Sequence, residues 1–312
     1  MSDPGIVGLA RKLVPNLKIH LSTQANTTNI RSVEFWAQQG VKRIVLAREL
    51  SINEIAQIAQ NVADVEIEIF VHGALCIAYS GRCMLSAYMT NRSANRGECS
   101  QPCRWEYYLK EASRQEPLVI EEDKNGTYIM NSKDICLIEH IPLIVESNIR
   151  SIKIEGRMKS AYYVAVVTKT YAEAINLFLE SPEKYKCNSA WIAELANISN
   201  RGYSTGFYFG RPGAECQRFD SSKYHKNYDF VGMTSTYYSQ KQLLKIFVRN
   251  HILCGDTLEV ILPGCLRPYK IVLKKFFDEQ EKEMNEAHNT YTILVPCTKA
   301  IPSGAVVRRK AR

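Results

Sequence analysis

From Leu17 to Gly156 the chain alternates between short β-rich runs and helical runs, and this alternation constrains the fold more than any other feature. The runs that predict strands are LKIHLST (17–23), KRIVLA (42–47), VEIEIFVHG (65–73), a run ending in TYIMNSKD (127–134), and SIKIEGR (151–157). Helices are predicted at 29–40, 51–62, 134–147 and in a long apolar-periodic segment after 157. Ser51 and Glu54 have capping-box spacing at the start of the second helix. Strand–helix alternation is typical of parallel βα units, and about five are present.

Polar side chains gather just after the predicted strands. In a (β/α)8 barrel the loops after the strands open on one face and carry the chemistry, so we predict an α/β fold with a partial TIM-type barrel and a functional rim. The candidate rim residues are Ser22, Thr23, Gln24, Asn26, Arg48, Glu49, His72, Asn131, Lys133, Asp134, Glu155, Arg157 and Lys159.

The pattern changes beyond about Tyr185. NRGYSTGFYFGRPG (200–213) is dense in glycine and aromatic residues, which predicts a loop or hairpin. From Tyr228 the apolar residues alternate with period two, and strands are predicted at 242–250, 256–264, 269–276 and 291–297. This pattern predicts a small antiparallel β-barrel. The predicted domains are a barrel portion at 1–184 with a cysteine-rich insertion at 72–105, a linker at 185–227, and a β-barrel domain at 228–312.

Charge and hydropathy limit the possible partners. The net charge of +8 is compatible with a nucleic-acid partner without establishing one, and the basic end VVRRKAR reads as a solvated tail. No apolar run reaches about 18 residues, so we predict no membrane span. The N-terminal residues lack a basic stretch followed by an apolar core, so we expect no secretory signal and a cytoplasmic location.

Four of the ten cysteines lie between His72 and Trp105. In a reducing cytosol such a cluster indicates metal binding or catalysis rather than disulfides. The spacing is C-x6-C, then fifteen residues, then C-x3-C, which suits neither a zinc ribbon nor the ferredoxin runs, so a metal of some kind is predicted. The alternative is that these thiols pack in a core. The four are Cys76, Cys83, Cys99 and Cys103; Cys136 sits on the predicted helix after NSKD, where core packing is favoured over ligation.

Several blocks of the chain resemble the signatures of peptidase family U32, the collagenase-like proteins: HGALCIAYSGRCMLS, NRGECSQPCRW, NSKDICLIEHI and SIKIEGRMKSAYYVA. The resemblance implies a (β/α)8 barrel with an appended β-barrel. Some members use prephenate to hydroxylate a wobble uridine of tRNA, and related members hold a [4Fe-4S] cluster on four cysteines. The resemblance assigns three ligands to Cys76, Cys83 and Cys99, with Cys103 as the first choice for the fourth and Cys136 in reserve.

We therefore expect prephenate-dependent 5-hydroxylation of a tRNA wobble uridine, with a collagenase-like peptidase as the alternative. No HExxH motif is present to support a peptidase, and the one GxSxG match, GYSTG (202–206), lies in the run dense in glycine and aromatic residues rather than at a strand-to-helix turn. The expected catalytic residues are Glu155, Arg157 and His72. Phosphate or a carboxylated co-substrate is expected to contact Arg48, Lys133, Lys159 and Arg104. A base would stack on Tyr203, Phe207, Tyr208 or Phe209, unless these form a packing strip.

A closed barrel needs eight βα units, so on the order of 90 residues would be missing from it. Three explanations compete. The chain is one half of a split pair that needs a second polypeptide, it forms a homodimer that covers the gap, or it is a truncated product without activity of its own.

Overall fold

The computed structural model describes residues 1–76, 78–105, 108–109, 118–119, 132–216, 224–265 and 267–312. The chain forms two compact units, Met1–Met158 with Asn200–Tyr224 and Lys159–Ser199 with His225–Arg312. This division differs from the predicted domains, because the long helix that follows residue 158 groups with the C-terminal strands.

The secondary structure of the described residues is as follows. The helices are α1 (Pro4–Leu13), α2 (Ile30–Gln38), α3 (Ile52–Asn61), α4 (Leu85–Thr90), α5 (Ile141–Glu146), α6 (Ala161–Glu180) and α7 (Ser189–Asn197). The strands of the first unit are β1 (Ile19–Leu21), β2 (Val41–Val45), β3 (Glu66–Ala74), β4 (Tyr108–Leu109), β5 (Leu118–Val119), β6 (Asp134–Cys136), β7 (Ser151–Ile154) and β8 (Tyr203–Ser204). Those of the second unit are β9 (Tyr228–Tyr238), β10 (Leu243–Val248), β11 (Ile252–Leu253), β12 (Thr257–Ile261), β13 (Tyr269–Val272), β14 (Phe276–Phe277), β15 (Glu283–Met284), β16 (Glu286–Ala287), β17 (Thr292–Pro296) and β18 (Val306–Lys310).

Four strands of the first unit, β1, β2, β3 and β7, pair in parallel in that order. They confirm the strands predicted at 17–23, 42–47, 65–73 and 151–157. Every residue of β3 after Glu66 is buried, which is typical of a parallel strand covered on both faces. The capping box predicted at the start of α3 is present, with Ser51 and Glu54 satisfying each other's backbone N–H groups.

The predicted helix at 134–147 is wrong at its start. Asp134–Cys136 forms β6, which pairs antiparallel with His72–Ala74 of β3, and a helix begins only at Ile141. Pro142 explains that start, because proline is tolerated in the first turn of a helix and disrupts its interior. The continuous parallel series therefore has four strands rather than five, while β6, antiparallel to β3, pairs in parallel with β8. Among the described residues no pairing closes the sheet into a ring. Residues 127–131 of the predicted fourth strand lie outside the described residues.

The second unit contains an eight-stranded, curled antiparallel sheet in the order β13-β12-β18-β9-β10-β17-β14-β15. The predicted strands at 242–250, 256–264, 269–276 and 291–297 appear as β10, β12, β13 and β17. The interpretation of VVRRKAR as a solvated tail is wrong. Val306–Lys310 is the interior strand β18, and Arg308 and Arg309 are only 2% and 5% exposed.

Two acidic side chains explain the burial of Arg308. Its Nε donates to Glu259 over 2.9 Å, and its two terminal nitrogens donate to Glu194 over 2.5 and 3.1 Å. A buried guanidinium is tolerated when charged partners satisfy its donors.

Among the described helices, none has the combination of length and apolar character that a bilayer crossing requires.

Candidate functional site

Arg48 lies just after β2 and is the centre of the candidate site. Its side chain is buried, with the guanidinium carbon 3.9 Å from the centroid of the Phe70 ring. Nη1 donates to the carbonyl of Ala74 over 3.1 Å and to Sγ of Cys76 over 3.0 Å. Nη2 lies 3.9 Å from Oε2 of Glu155. A fixed positive charge therefore touches the first cysteine of the cluster.

Glu155 is placed beside Arg48 by a close approach of two backbones. Its N–H donates to the carbonyl of His72 over 2.8 Å. Gly73 has φ +104°, and a Cβ there would lie 2.3 Å from the Glu155 carbonyl oxygen, so only glycine fits. Oε1 of Glu155 accepts from the N–H of Arg157 over 3.0 Å. One carboxylate oxygen is thus held by the backbone while the other faces Arg48.

The loop between Cys76 and Cys83 is fastened to the segments that follow β1 and β2. The N–H and Oγ of Ser80 donate to the two carboxylate oxygens of Glu49 over 2.8 and 3.1 Å. Gly81 has φ +74°, and a Cβ there would lie 2.1 Å from the carbonyl oxygen of Gln24. Sequence reasoning missed Ser80 and Gly81, although the Ser-Gly dipeptide is a sequence signal for a turn.

The segment that carries Cys99 is anchored to α4. The N–H of Ser100 donates to Oγ of Ser86 over 3.0 Å, and the Ser100 hydroxyl lies 2.8 Å from that of Thr90. The N–H of Gln101 donates to Sγ of Cys99 over 3.3 Å. This second sulfur therefore also accepts a hydrogen bond.

Arg157 connects this segment to the end of β7. Its guanidinium lies beside Gly97, where an added Cβ would be 3.8 Å from Nη1 of Arg157. Since the N–H of Arg157 donates to Glu155, the same residue borders both parts of the site. Its side chain is exposed, so it is accessible to a ligand.

Within the described part of the chain, none of the five candidate cysteines forms a disulfide. Cys76 is exposed, and Cys83, Cys99, Cys103 and Cys136 are half-buried. Among the described residues no three of these sulfurs lie within 4.8 Å of one another, so they do not form a compact site for one ion. A [4Fe-4S] cluster is held by four cysteine thiolates, each on a different iron atom, so such a cluster does not require three sulfurs within that distance.

Cys136 lies on β6, directly opposite His72 of β3, and not on a helix. Opposed residues of an antiparallel pair project to the same face, so its position relates it to the end of β3 that leads into Cys76. His72 itself is 1% exposed, with its ring 5.1 Å from that of Tyr203. An enclosed imidazole of this kind has a packing role in addition to any catalytic one.

The predicted basic contacts are not all brought together. The N–H of Lys133 donates to the carbonyl of Cys216, and the side chain lies beside Gly202. Lys159 belongs to the second unit, where its Nζ donates to the carbonyl of Ser199 over 2.8 Å. The side chain of Arg104 lies outside the described residues.

The aromatic residues predicted to stack on a base have separate environments. Tyr208 is buried, donates its hydroxyl to the carbonyl of Phe70 over 2.5 Å, and has a pKa raised by burial. It is a core residue and offers no face to a base. Phe209 is 51% exposed, with its ring 4.5 Å from that of His140, and Phe207 is half-buried.

Comparison with known families matches the chain to two models, Peptidase family U32 over residues 1–218 and Peptidase family U32 C-terminal domain over residues 226–308. The chain belongs to peptidase family U32. The expected resemblance is therefore confirmed, and it extends over both units of this U32 chain.

Three curated relatives illustrate the range of names in the family. A tRNA hydroxylation protein P1 of Bacillus subtilis is 39% identical over 294 residues, which are 94% of this U32 chain and 69% of the relative. A tRNA hydroxylation protein P of Helicobacter pylori J99 is 44% identical over 216 residues, 68% of this chain and 50% of the relative. A collagenase of Porphyromonas gingivalis W83 is 34% identical over 262 residues, 80% of this chain and 61% of the relative. The chain thus spans between half and about two thirds of their lengths.

Proposed function

We propose that this U32 chain acts in the hydroxylation of tRNA, modifying a wobble uridine at C5 with prephenate as co-substrate. Cys76, Cys83 and Cys99, with Cys103 or Cys136 as the fourth ligand, would hold an iron–sulfur cluster. The observation that carries the proposal is the contact between the buried Arg48 guanidinium and Sγ of Cys76. Relatives named for tRNA hydroxylation support the choice of substrate.

The surroundings of the thiols fit such a cluster. Thiolates are soft ligands suited to iron–sulfur centres, and hydrogen bonds to their sulfurs lower the electron density that the metal receives. Arg48 supplies one such bond to Cys76, and the N–H of Gln101 supplies one to Cys99. The bound cluster would supply redox chemistry. The two supporting donors would orient the thiolates and help to set the potential.

Arg48 is better suited to positioning Cys76 than to binding substrate. Its terminal nitrogens already face Ala74, Cys76 and Glu155, and its side chain is buried. We therefore assign the contact with a carboxylate or phosphate group to Arg157, which is exposed beside the cysteine segment. Arginine binds both groups through paired N–H donors.

Glu155 is the candidate for proton transfer at this site. Its side chain is partly accessible, and one carboxylate oxygen is fixed by the N–H of Arg157. A carboxylate held in this way can accept a proton from a reacting group without first reorienting. The target base would enter unstacked, from a single-stranded anticodon loop.

The test is mass spectrometry of tRNA nucleosides from a strain in which the gene is deleted. We expect the nucleosides that derive from 5-hydroxyuridine to disappear on deletion. The wild-type gene and an R150A variant should restore them, whereas C76A and R157A should not. Arg150 is exposed and its N–H donates to Ile67 near the start of β3, whereas Cys76 follows the end of that strand. Unchanged nucleosides on deletion would overturn the proposal.

A peptidase is the second candidate, supported by the relative named as a collagenase. A hydrolase needs an activated nucleophile with a base in reach, or a metal-bound water, and a thiolate committed to iron is not a nucleophile. Gelatin digestion by the purified protein tests this candidate. Loss of gelatin cleavage in a deletion strain with unchanged tRNA nucleosides would favour it.

A further inference from the structure

Three metal-binding side chains lie on one face of a two-stranded ribbon in the second unit. Strands β11 and β16 pair antiparallel, with Ile252 opposite Ala287. Both of these residues are fully buried in the core of the unit, which backs the ribbon. Extending this register by one residue beyond the paired strands places His251 opposite His288, and Glu286 lies two residues before His288 on the same face. The outer face therefore carries two imidazoles and a carboxylate.

The ligand atoms of these side chains converge. Oε2 of Glu286 is 3.1 Å from Nε2 of His251 and 3.6 Å from Nε2 of His288. All three residues offer ligand atoms within 4.8 Å of one another, and they form the one such group among the described residues. The imidazole rings are parallel, with centroids 4.7 Å apart.

These separations are close to those around a bound transition metal. A tetrahedral ion with bonds of about 2.0–2.1 Å to nitrogen and oxygen separates its ligand atoms by roughly 3.3 Å. The two contacts to Glu286 lie on either side of that value, so small side-chain rotations suffice. Strand pairing fixes the backbone of Glu286, and His251 and His288 directly adjoin the paired residues, which lowers the ordering entropy that a binding site on a loop would require.

We propose that His251, Glu286 and His288 form a divalent-metal site for zinc or a similar borderline ion. Two histidines and one carboxylate are a known zinc ligand set that leaves one position for water. Imidazole nitrogen favours zinc, cobalt, nickel and copper over magnesium and calcium. The site is separate from the cysteines of the first unit, and its ligands are nitrogen and oxygen rather than sulfur.

Arg312 is the residue that competes with the ion. Its Nη1 lies 3.3 Å from Nδ1 of His251, and its Nη2 lies 3.0 and 3.2 Å from the carboxylate oxygens of Asp256. A neutral imidazole that binds metal through Nε2 carries its proton on Nδ1, so it cannot accept from Arg312. Metal binding would break the contact between Arg312 and His251, and Arg312 would keep its hydrogen bonds to Asp256.

The bound ion would crosslink two very short strands, β11 and β16. β11 and β16 contribute two residues each, and an ion that bridges His251 and His288 would hold them together. A ligand that binds only the folded state raises stability according to its concentration relative to Kd. We therefore expect zinc to raise the melting temperature of the full chain.

The test is a zinc titration of the full chain by equilibrium dialysis, with the wild type compared to H251A, H288A and E286Q. We expect each variant to lower the zinc affinity of one binding site by more than about 100-fold. Loss of a residue that only supports a metal ligand lowers affinity by at most about that factor. The control is H225A, which removes an exposed histidine of the same unit outside the cluster. Circular dichroism confirms that the variants fold.

Two further measurements separate this site from the thiols. With cobalt as the probe, the site should give visible bands without the charge-transfer absorption of thiolate ligands, and C76A should leave those bands unchanged. R312A should bind zinc at least as tightly as the wild type. Equal zinc affinity and stoichiometry in the wild type, H251A and H288A would overturn the proposal.

Discussion

The guanidinium of Arg48 donates to the sulfur of Cys76 over 3.0 Å and lies 3.9 Å from the carboxylate of Glu155. One buried cation therefore lies beside both a thiol and a carboxylate. The thiolate is the form of cysteine that binds metal, and a hydrogen bond from a neighbouring donor orients such a ligand. This relationship joins the cysteine segment to the end of β7, and it is the basis of the first prediction.

Arg48→Met should lower both stability and iron retention. The substitution keeps an unbranched side chain over Phe70 but removes the charge-assisted hydrogen bonds, so we expect unfolding free energy to fall by about 1.5–3 kcal/mol. The control is Arg31→Met, which removes an ion pair between the exposed Arg31 and Glu34 and should cost at most about 1 kcal/mol. Urea denaturation and iron analysis measure both effects. Iron content and stability equal to those of the control would contradict the role of Arg48.

Gly81→Ala should destabilise the loop that precedes Cys83. A side chain at φ +74° is strained, and the new Cβ would collide with the carbonyl of Gln24. The control is Gly210→Ala, where φ is +130° but nothing lies within 4 Å of the added Cβ. We expect backbone strain of about 1–3 kcal/mol in both variants and a further loss only in Gly81→Ala. Equal melting temperatures of the two variants would show that the close approach of Gly81 to Gln24 does not affect stability.

Arg308→Met should lower the free energy of unfolding of the second unit by about 3–5 kcal/mol, because Glu194 and Glu259 would lose their buried partner. Lys310→Met is the control, since Lys310 is exposed at the end of the same strand. Chemical denaturation followed by the fluorescence of Trp191 in that unit measures the difference. A loss no larger than that of the control would mean that the buried cation is not needed by these carboxylates.

Stability should fall at alkaline pH because of Tyr162. Burial raises the pKa of Tyr162 to about 12, although the charge of Arg308 acts in the opposite direction. The pKa of tyrosine in an unfolded chain is about 10. The unfolded chain therefore loses the proton first, and the contribution to stability is present below pH 10 and lost as pH rises through 12. Tyr162→Phe should reduce this loss in unfolding experiments between pH 9 and 12. Tyr238→Phe, at an exposed position, should leave the loss in place.

Local signals in the sequence predicted the regular elements well. Ser51 and Glu54 marked the start of α3, and the β-branched runs marked β2 and β3, because these elements depend on nearby residues and on burial of one continuous apolar run. β6 was missed since its three residues are set by pairing with His72–Ala74, far away in sequence. A short apolar run does not distinguish strand from helix.

The candidate site shows the same division. Cys76, Cys83 and Cys99 were predicted from a dense motif, and Glu155 and Arg157 from their place after a strand. The contacts of Arg48 with Phe70 and Cys76 depend on three-dimensional packing that no spacing reveals. The burial of Arg308 was missed for a related reason, because its partners Glu194 and Glu259 are distant in the chain.

The central claim is that the cysteines of the first unit hold an iron–sulfur centre. The most direct measurement is iron and sulfide per chain after anaerobic purification, for the wild type and for alanine variants at Cys76, Cys83, Cys99, Cys103 and Cys136, with exposed Cys254 as the control. We predict a brown wild type and control, and loss of iron and sulfide in four of the five variants, including the first three. A colourless wild type that contains zinc, or iron that persists when Cys76, Cys83 and Cys99 are each replaced, would contradict the account.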